Sequence, residues 1–353
     1  MLTKLKHFIT TLLLGANFCS LSILWVCCLS TYISPGIFPK ISLLWLTFPI
    51  LLAVNIGFAI LWFFIRPKFI LVPLLGVLIV GCYVLDYYPI NPGTHIPENA
   101  VKVISFNAAG LSKEKNKKEF IHFLKEEAPD IICFQELGVG WFHHKDIMLV
   151  LDSMRYTFKG AKNKAIMSRL PFLSDTIHIN YPSESNSSIA CWIDVHGDST
   201  LIVNNHLESY HLSKKDREEY NEMLKEPNNK ELIKTSGIQL MRKLAKASKF
   251  RGPQTDSLCT FWESKEKPSM IMCGDYNDTP ISYTYQKLSK NLTSVFRESG
   301  NGIGISYNEK GFFVRIDHIF ITEDWESCKT YIDTQTEMSD HNPLVTYLRK
   351  KQH

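Results

Sequence analysis

Met270-Ile271-Met272-Cys273-Gly274-Asp275-Tyr276-Asn277-Asp278-Thr279-Pro280 runs from an apolar stretch through a glycine into two acids, an aromatic and an amide. Such a run reads as a buried strand that delivers polar groups to the rim of a sheet. Asp275 and Asn277 are two apart, so in extended chain they share a face. A carboxylate beside an amide can hold and deprotonate a water near a metal or a phosphate. The same pattern also fits a plain strand-to-turn junction with Asx-turn residues. Recurrence elsewhere in the chain weighs for the first reading.

Five further junctions share the pattern. Val101–Asn107 ends in an amide and Asp130–Glu136 in a carboxylate. Leu201–His206 ends in Asn204, Asn205 and an imidazole. Arg315-Ile316-Asp317-His318 buries an acid in a strand, and Ser339-Asp340-His341-Asn342-Pro343 sets an acid and a histidine before the last strand. Strands are also expected at Lys164–Ser168, Ile189–Val195, Val314–Ile321 and Asn342–Leu348. Helical spacing covers Lys113–Glu127, Ser213–Leu224, Lys230–Phe250 and Ser282–Leu288. Near-continuous apolar strands with helices between them imply an α/β domain of two packed sheets covered by helices. A folded sheet gathers strand ends into one cleft. Its ligands here are oxygens and imidazoles without a thiolate cluster, which suits Mg²⁺, Mn²⁺ or Ca²⁺ rather than structural zinc.

Polarity is segregated along the chain. Apolar runs occupy 8–33, 41–65 and 69–88, each long enough for a helix to cross a bilayer, which takes about 20 residues. Residues 1–90 therefore read as a membrane anchor with three transmembrane helices, 91–99 as a proline-rich linker and 100–353 as the catalytic domain. Lys4 and Lys6 precede the first run, Arg66 and Lys68 separate the second from the third, and Lys40 alone lies in the other loop. By the excess of positive charge on the cytoplasmic side, the N-terminus is expected in the cytoplasm. The domain is then expected on the outer side, periplasmic if the membrane is a bacterial inner membrane. Of 39 Lys and Arg residues five precede position 89, and of 35 acids one does, so the remainder carries 34 of each. That balance lacks the basic footprint of a strong nonspecific nucleic-acid binder. The cysteines indicate no disulfide framework and no CxxC metal site. One stretch, 232–251, holds Lys234, Arg242, Lys243, Lys246, Lys249 and Arg251 and no acid. It reads as a helix packing on the sheet with a solvated basic face; the alternative is a helix facing an anionic membrane or substrate.

Taken together, the segments FN, QE, NxH-L, GDxN, DxI and SDHxP, with Lys164–Pro171, resemble in order the endonuclease/exonuclease/phosphatase family, from Val101 to Leu348. The resemblance implies a four-layered α/β sandwich, here preceded by the three transmembrane helices, with the active site at one edge. It implies Glu136 as principal metal ligand with Asn107 beside it and Asp340 next to the metal, Mg²⁺ or Mn²⁺. It makes Asp275 the residue that orients or deprotonates the water and Asn277 the one that places it. His206 and His341 then donate hydrogen bonds to the phosphoryl oxygens, with Asp317 orienting and charging His341. Some relatives pair the first histidine with a further acid; none is evident for His206, with Glu208 the nearest in sequence. Asp278, His143, His144 and His211 read as solvated or structural.

The leading expectation is a membrane-anchored, divalent-metal-dependent phosphoester hydrolase of nuclease or phosphatase type. Its substrate is a nucleic acid, a phospholipid or a small phosphoester, and no obligate protein partner is evident. A lipid head-group phosphodiesterase acting at the membrane surface is the alternative. A non-catalytic binding platform is a third reading; it would be expected to lack a key residue, and every matched position is filled.

Overall fold

Strands that are apolar on both faces have to be covered on both faces. The computed structural model describes residues 2–351 apart from 94, 110, 112–113, 139–144, 162, 184–185 and 310–311, so His143 and His144 lie outside the described residues.

The N-terminal region forms α1 (Leu2–Leu29), 3₁₀ turns at Ser30–Tyr32 and Ile41–Thr47, α2 (Phe48–Ile65), a turn at Pro67–Phe69, α3 (Leu71–Ile79) and α4 (Gly81–Tyr87). Two of these stretches, Thr3–Tyr32 and Ile41–Ile65, are long and apolar enough to cross a membrane. The third run differs from a plain span: it bends by 67° between Ile79 and Gly81, and counts as a crossing only if the bent pair is taken as one. α1 and α3 meet at Gly76, where a side chain would strike Leu21, and the indole of Trp25 donates to the Gly76 carbonyl at 2.9 Å. Inside the bundle Asn17, Asn55, Ser20 and Trp62 bond to one another at 3.0–3.1 Å, the way polar side chains join helices in an apolar setting.

The rest of the chain builds two six-stranded sheets. The elements are β1 (Val101–Asn107), α5 (Glu114–Glu127), β2 (Ile131–Gln135), α6 (Lys145–Ser153), β3 (Thr157–Ala161), β4 (Lys164–Ser168), β5 (Ile177–Ile179), β6 (Ser187–Val195) and β7 (Asp198–His206). There follow α7 (Lys214–Lys225), α8 (Lys230–Ser264), β8 (Met270–Asp275), α9 (Tyr283–Leu288), β9 (Thr293–Ser294), α10 (Val295–Ser299), β10 (Tyr307–Glu309), β11 (Phe312–Val314), β12 (Asp317–Ile321), β13 (Trp325–Ile332) and β14 (Leu344–Lys350). The first sheet has the order β13-β14-β1-β2-β4-β3, the second β5-β6-β7-β8-β12-β9, and β10-β11 forms a separate hairpin.

The two-residue period decides what each strand touches. Val101 and Val103 point into a core between the sheets, where they meet Ile271 and Cys273. Ile104 and Phe106 point the other way, onto Phe120, Phe123 and Leu124 of α5. Met270 and Met272 likewise cover Leu258 and Trp262 of α8. The layers are therefore helix, sheet, sheet, helix. Each such fully buried side chain contributes about 1.5–3 kcal/mol.

Two expected boundaries moved. The stretch 314–321 is two strands: Arg315 turns its guanidinium to the carbonyls of Ile303 and Asp86, and the amides of Ile316 and Asp317 donate to Ser306 Oγ at 3.0 Å. α8 continues past Phe250 and through Pro253 to Ser264. Its basic face is only partly solvated, because Arg251 is fully buried.

The N-terminal helices pack on the two-sheet domain. Asp86 pairs with Arg297 and accepts from Gln286 at 2.8 Å. Ile281 joins the cluster of Leu24 and Phe48, and Leu43 joins Leu244 and Ala245 of α8.

Candidate active site

Strand register sets the site. β7 runs parallel to β8 with His206 opposite Asp275, and β12 runs antiparallel to β8 with Asp317 opposite Asp275. Three polar residues thus stand abreast on three adjacent strands. Gly274 permits this approach: a Cβ there would lie 2.3 Å from the Asn205 carbonyl oxygen. The other sheet brings Asn107 from the end of β1 and Glu136 from just beyond β2. Glu136 and Asn277 both adopt left-handed backbone, at φ 52° and 50°. That conformation is uncommon for residues other than glycine and recurs at functional sites.

Asp275 Oδ2 is the centre. It accepts from Asn107 Nδ2 at 2.9 Å and lies 3.8 Å from Nε2 of both His206 and His341. Asn107 Nδ2 also reaches Glu136 Oε1 at 3.3 Å, and Glu136 Oε1 is 3.4 Å from His206 Nε2. Asp317 Oδ2 bonds His341 Nδ1 at 2.9 Å. The Asn277 amide donates to Asp275 Oδ1 at 2.8 Å, so the Asx turn is present as well. The Asn277 side chain donates to the Leu207 carbonyl at 3.2 Å. Asp340 lines the same cavity, and Ser339 Oγ ties its loop to the Asn107 carbonyl at 2.9 Å.

The two imidazoles differ in charge. Burial pushes His206 down to about 3, helped by Lys164 and His341, so it is neutral. Burial works the same way on His341, but Asp317 and Asp275 outweigh it and carry it up to about 10, so it is cationic. Burial raises the Asp275 carboxyl to about 7 and Asp317 adds to the rise, while His341 and the hydrogen bonds from Asn277 and Asn107 oppose it. A carboxylate held near neutrality suits proton transfer.

Glu136, His206 and Asp275 bring their ligand atoms within 4.8 Å of one another, as do Asp275, Asp317 and His341. Asp340 stands outside both groups. The Asn107 oxygen accepts from the Ala109 amide at 3.1 Å, so ligation through it requires the amide to turn over. Both ring nitrogens of His206 and Asp317 Oδ1 are buried without a hydrogen-bond partner among the described residues. Buried polar atoms are ordinarily satisfied. Open valences beside carboxylates fit a cation with a phosphate or water, and the oxygen donors fit Mg²⁺ or Mn²⁺.

Glu208 Oε1 meets His211 Nε2 at 3.1 Å, and its charge also acts on His206, opposing the fall in the pKa of that imidazole. Asp278 is buried rather than solvated, and pairs with Arg251 Nε at 3.3 Å. Sequence reading missed the staple between the sheets in which Gln135 donates to Asn204 at 2.7 Å. It also missed Tyr307, whose ring lies 4.9 Å from that of His341. The QE and NxH segments carry the first signal; Tyr307 carries none.

The model of the endonuclease/exonuclease/phosphatase family matches residues 104–341, more than half of the sequence. The chain belongs to that family and is a phosphoester hydrolase of its kind. A second model, of a domain of unknown function, matches residues 10–87. Comparison with curated proteins finds no match. Among solved structures, the human Nocturnin catalytic domain with bound sulfate is 17% identical at a TM-score of 0.50, over 71% of this chain and 94% of that one. The endonuclease/exonuclease/phosphatase from Bacteroides vulgatus is 16% identical at 0.50, over 71% and 99%. That from Beutenbergia cavernae is 15% identical at 0.50, over 71% and 72%. At these identities the likeness is one of fold.

Proposed function

We propose that the chain is a membrane-anchored hydrolase that uses Mg²⁺ or Mn²⁺ to direct water onto a phosphoester. The carrying observation is Asp275 Oδ2, buried among Asn107, His206 and His341. Asp275 takes the proton of the attacking water, and Asn277 shapes the turn that holds it. His341, charged by Asp317, donates to the phosphoryl oxygens as negative charge builds. His206, neutral, donates one further hydrogen bond. Glu136, at the open rim with its side chain 38% exposed, holds the metal together with Asn107 and Asp340. A bound divalent cation polarises a phosphoryl oxygen and lowers the pKa of water.

The anchor supports attachment to a bilayer. The charge bias of Lys4, Lys6, Arg66 and Lys68 supports a cytoplasmic N-terminus and a domain on the outer side, periplasmic if the membrane is a bacterial inner one, and cleavage of the domain by protease added to spheroplasts checks the side. The chemistry is tested with the full chain in detergent on bis(4-nitrophenyl) phosphate. Chelation should abolish turnover and Mg²⁺ or Mn²⁺ restore it. Asp275→Asn and Glu136→Gln should each lower kcat by about 10³-fold or more without shifting the melting midpoint. Activity retained in Asp275→Asn would sink the assignment.

A further inference from the structure

The cavity that opens on Asp275 and His341 has a volume of about 750 Å³. Ligand cavities of roughly 300–1,000 Å³ hold whole organic molecules, so a phosphoryl group with its metal fills only the polar end. The remaining wall is largely apolar; Phe312 and Val314 of β11 and Leu212 contribute to it, and two further parts of the chain complete it. Trp45, Leu46 and Pro49 come from the anchor, and Met223, Leu240 and Met241 from α7 and α8. The anchor residues sit where the second apolar run begins, at the end of the bundle that packs on the domain through Leu43, Leu244 and Ala245. The wall of the catalytic cavity is thus continuous with helices apolar enough to cross a membrane. Apolar exposure continues around this junction: Met241 is 43% exposed, Phe38 55% and Ile37 71%.

Charge points the same way. Lys234, Arg242, Lys246 and Lys249 are exposed on α8, the helix that packs on the anchor, and cations beside exposed apolar surface are attracted to anionic lipid head groups. Within the cavity the lining Arg217 is paired with Glu309. A strand-tracking nucleic-acid groove calls for a run of open cations.

We propose that the substrate is an amphiphile of the bilayer: a phosphoester whose head is cleaved at the Asp275–His341 end while its hydrocarbon part lies against the wall made jointly by Trp45–Pro49 and the α7–α8 pair. One water is consumed. Its oxygen bonds to phosphorus, the P–O bond to the alcohol breaks, and the alcohol leaves with the proton that Asp275 removed. This inference rests on the hydrolase reading above and adds the chemical class of substrate.

The test uses the full chain in detergent with Mg²⁺ or Mn²⁺ and a head-independent series: methyl, octyl and tetradecyl 4-nitrophenyl phosphate, beside a single-stranded oligonucleotide. We expect kcat/KM to rise at least tenfold from the methyl to the tetradecyl ester. Tenfold is about 1.4 kcal/mol, less than two buried methylenes supply. Leu240→Gln and Met241→Glu should lower the tetradecyl-to-methyl ratio by at least fivefold, and Leu240→Met should keep it. Partitioning of ester into detergent is common to all variants, so the ratio reports the cavity wall. A series that is flat, a ratio unmoved by both polar variants, or an oligonucleotide cut in preference to the tetradecyl ester overturns the inference. Turnover of the methyl ester with a flat series removes the inference alone. Inertness of every ester with either metal removes the hydrolase reading and this inference with it.

Discussion

Two buried polar clusters flank the turn Asp275–Asp278, and they are built from the same kinds of residue to opposite ends. On one side Asp275, Asp317, His206 and His341 are all buried, yet Asp317 Oδ1 and both His206 nitrogens are unpartnered among the described residues. On the other side Arg251 is held on most sides, although its Nε and the Tyr210 hydroxyl are also buried without a hydrogen-bond partner among the described residues. Its Nη1 donates to the Glu208 carbonyl and its Nη2 to Ser248 Oγ, each at 2.9 Å. Its guanidinium lies 4.3 Å from the Tyr210 ring centre, and its Nε pairs with Asp278 at 3.3 Å. Burial opposes the charge on Arg251, but Asp278 and the other neighbours outweigh it. Asp278 also accepts from Thr284 at 2.9 Å. Burial alone therefore does not mark a catalytic group. Nor does one unsatisfied atom; the first cluster differs in that its open imidazole nitrogens stand beside carboxylates at the wall of a cavity, where a ligand can recover the free energy that an unsatisfied polar atom costs.

The comparison breaks most sharply at Asp317. Asp317→Asn keeps a similar shape beside His341 Nδ1 but removes the charge that sustains the imidazolium. Turnover of bis(4-nitrophenyl) phosphate should fall by about 10²–10⁴-fold, while the melting midpoint stays close to that of the parent. A kcat within threefold of the parent would mean that the charge of His341 is irrelevant to the reaction. Arg251→Met should show the reverse pattern. It leaves the Asp278 carboxylate buried and unpaired, at a cost of about 3–5 kcal/mol, and thermal unfolding in detergent should move down accordingly. Activity per folded molecule should stay within about threefold. Adding Asp278→Leu to Arg251→Met should return much of the loss, since removing both charges avoids an uncompensated one. If single and double variants melt alike, the pair is not the stabilising unit.

The open cluster was far more legible in the sequence than the closed one. Each catalytic candidate lies at or near one end of an apolar strand, and strands covered on both faces announce themselves: the expected limits of β1 and β4 are the observed ones. β3 and β13 lie at the two edges of the first sheet, where one side is partly solvated, and their polar alternation puts them outside the expected strands. The Arg251–Asp278 pair joins a helix to a turn 27 positions away by direct contact, and no periodicity reports such a contact. By composition Arg251 belongs with its basic neighbours in 232–251, and the helical spacing expected from the sequence ends at Phe250, before Pro253. Ser257 Oγ instead bonds the Pro253 carbonyl at 2.9 Å and the helix runs on. Nor could composition tell that Trp45 and Pro49 line the cavity, since a residue of a span and a residue of a site wall are equally apolar.

A third ion pair, nearer the surface, sets the low end of the scale. Ser213 caps α7: its Oγ accepts from the Asp216 amide at 3.2 Å, and Asp216 Oδ2 accepts from the Ser213 amide at 2.7 Å. Lys243 of α8 donates to the same carboxylate. Burial works against the ionised form, but the bonds from Lys243 and Ser213 outweigh it and hold the Asp216 carboxyl below its usual range. The stabilisation is therefore complete above the unfolded value of about 3.9, and is lost as pH falls through the lower folded value. A cap of this kind contributes about 1 kcal/mol, roughly a fivefold change in local opening. Hydrogen exchange of residues 214–225, corrected for intrinsic chemistry, should therefore begin to quicken below roughly pH 4 and approach that factor once pH lies below the folded value. The segment 251–262, held by the closed cluster, should not follow it. Equal acceleration of both segments would show that the charge in the cap and the charge in the core are held by the same opening event, and the distinction between them would fall.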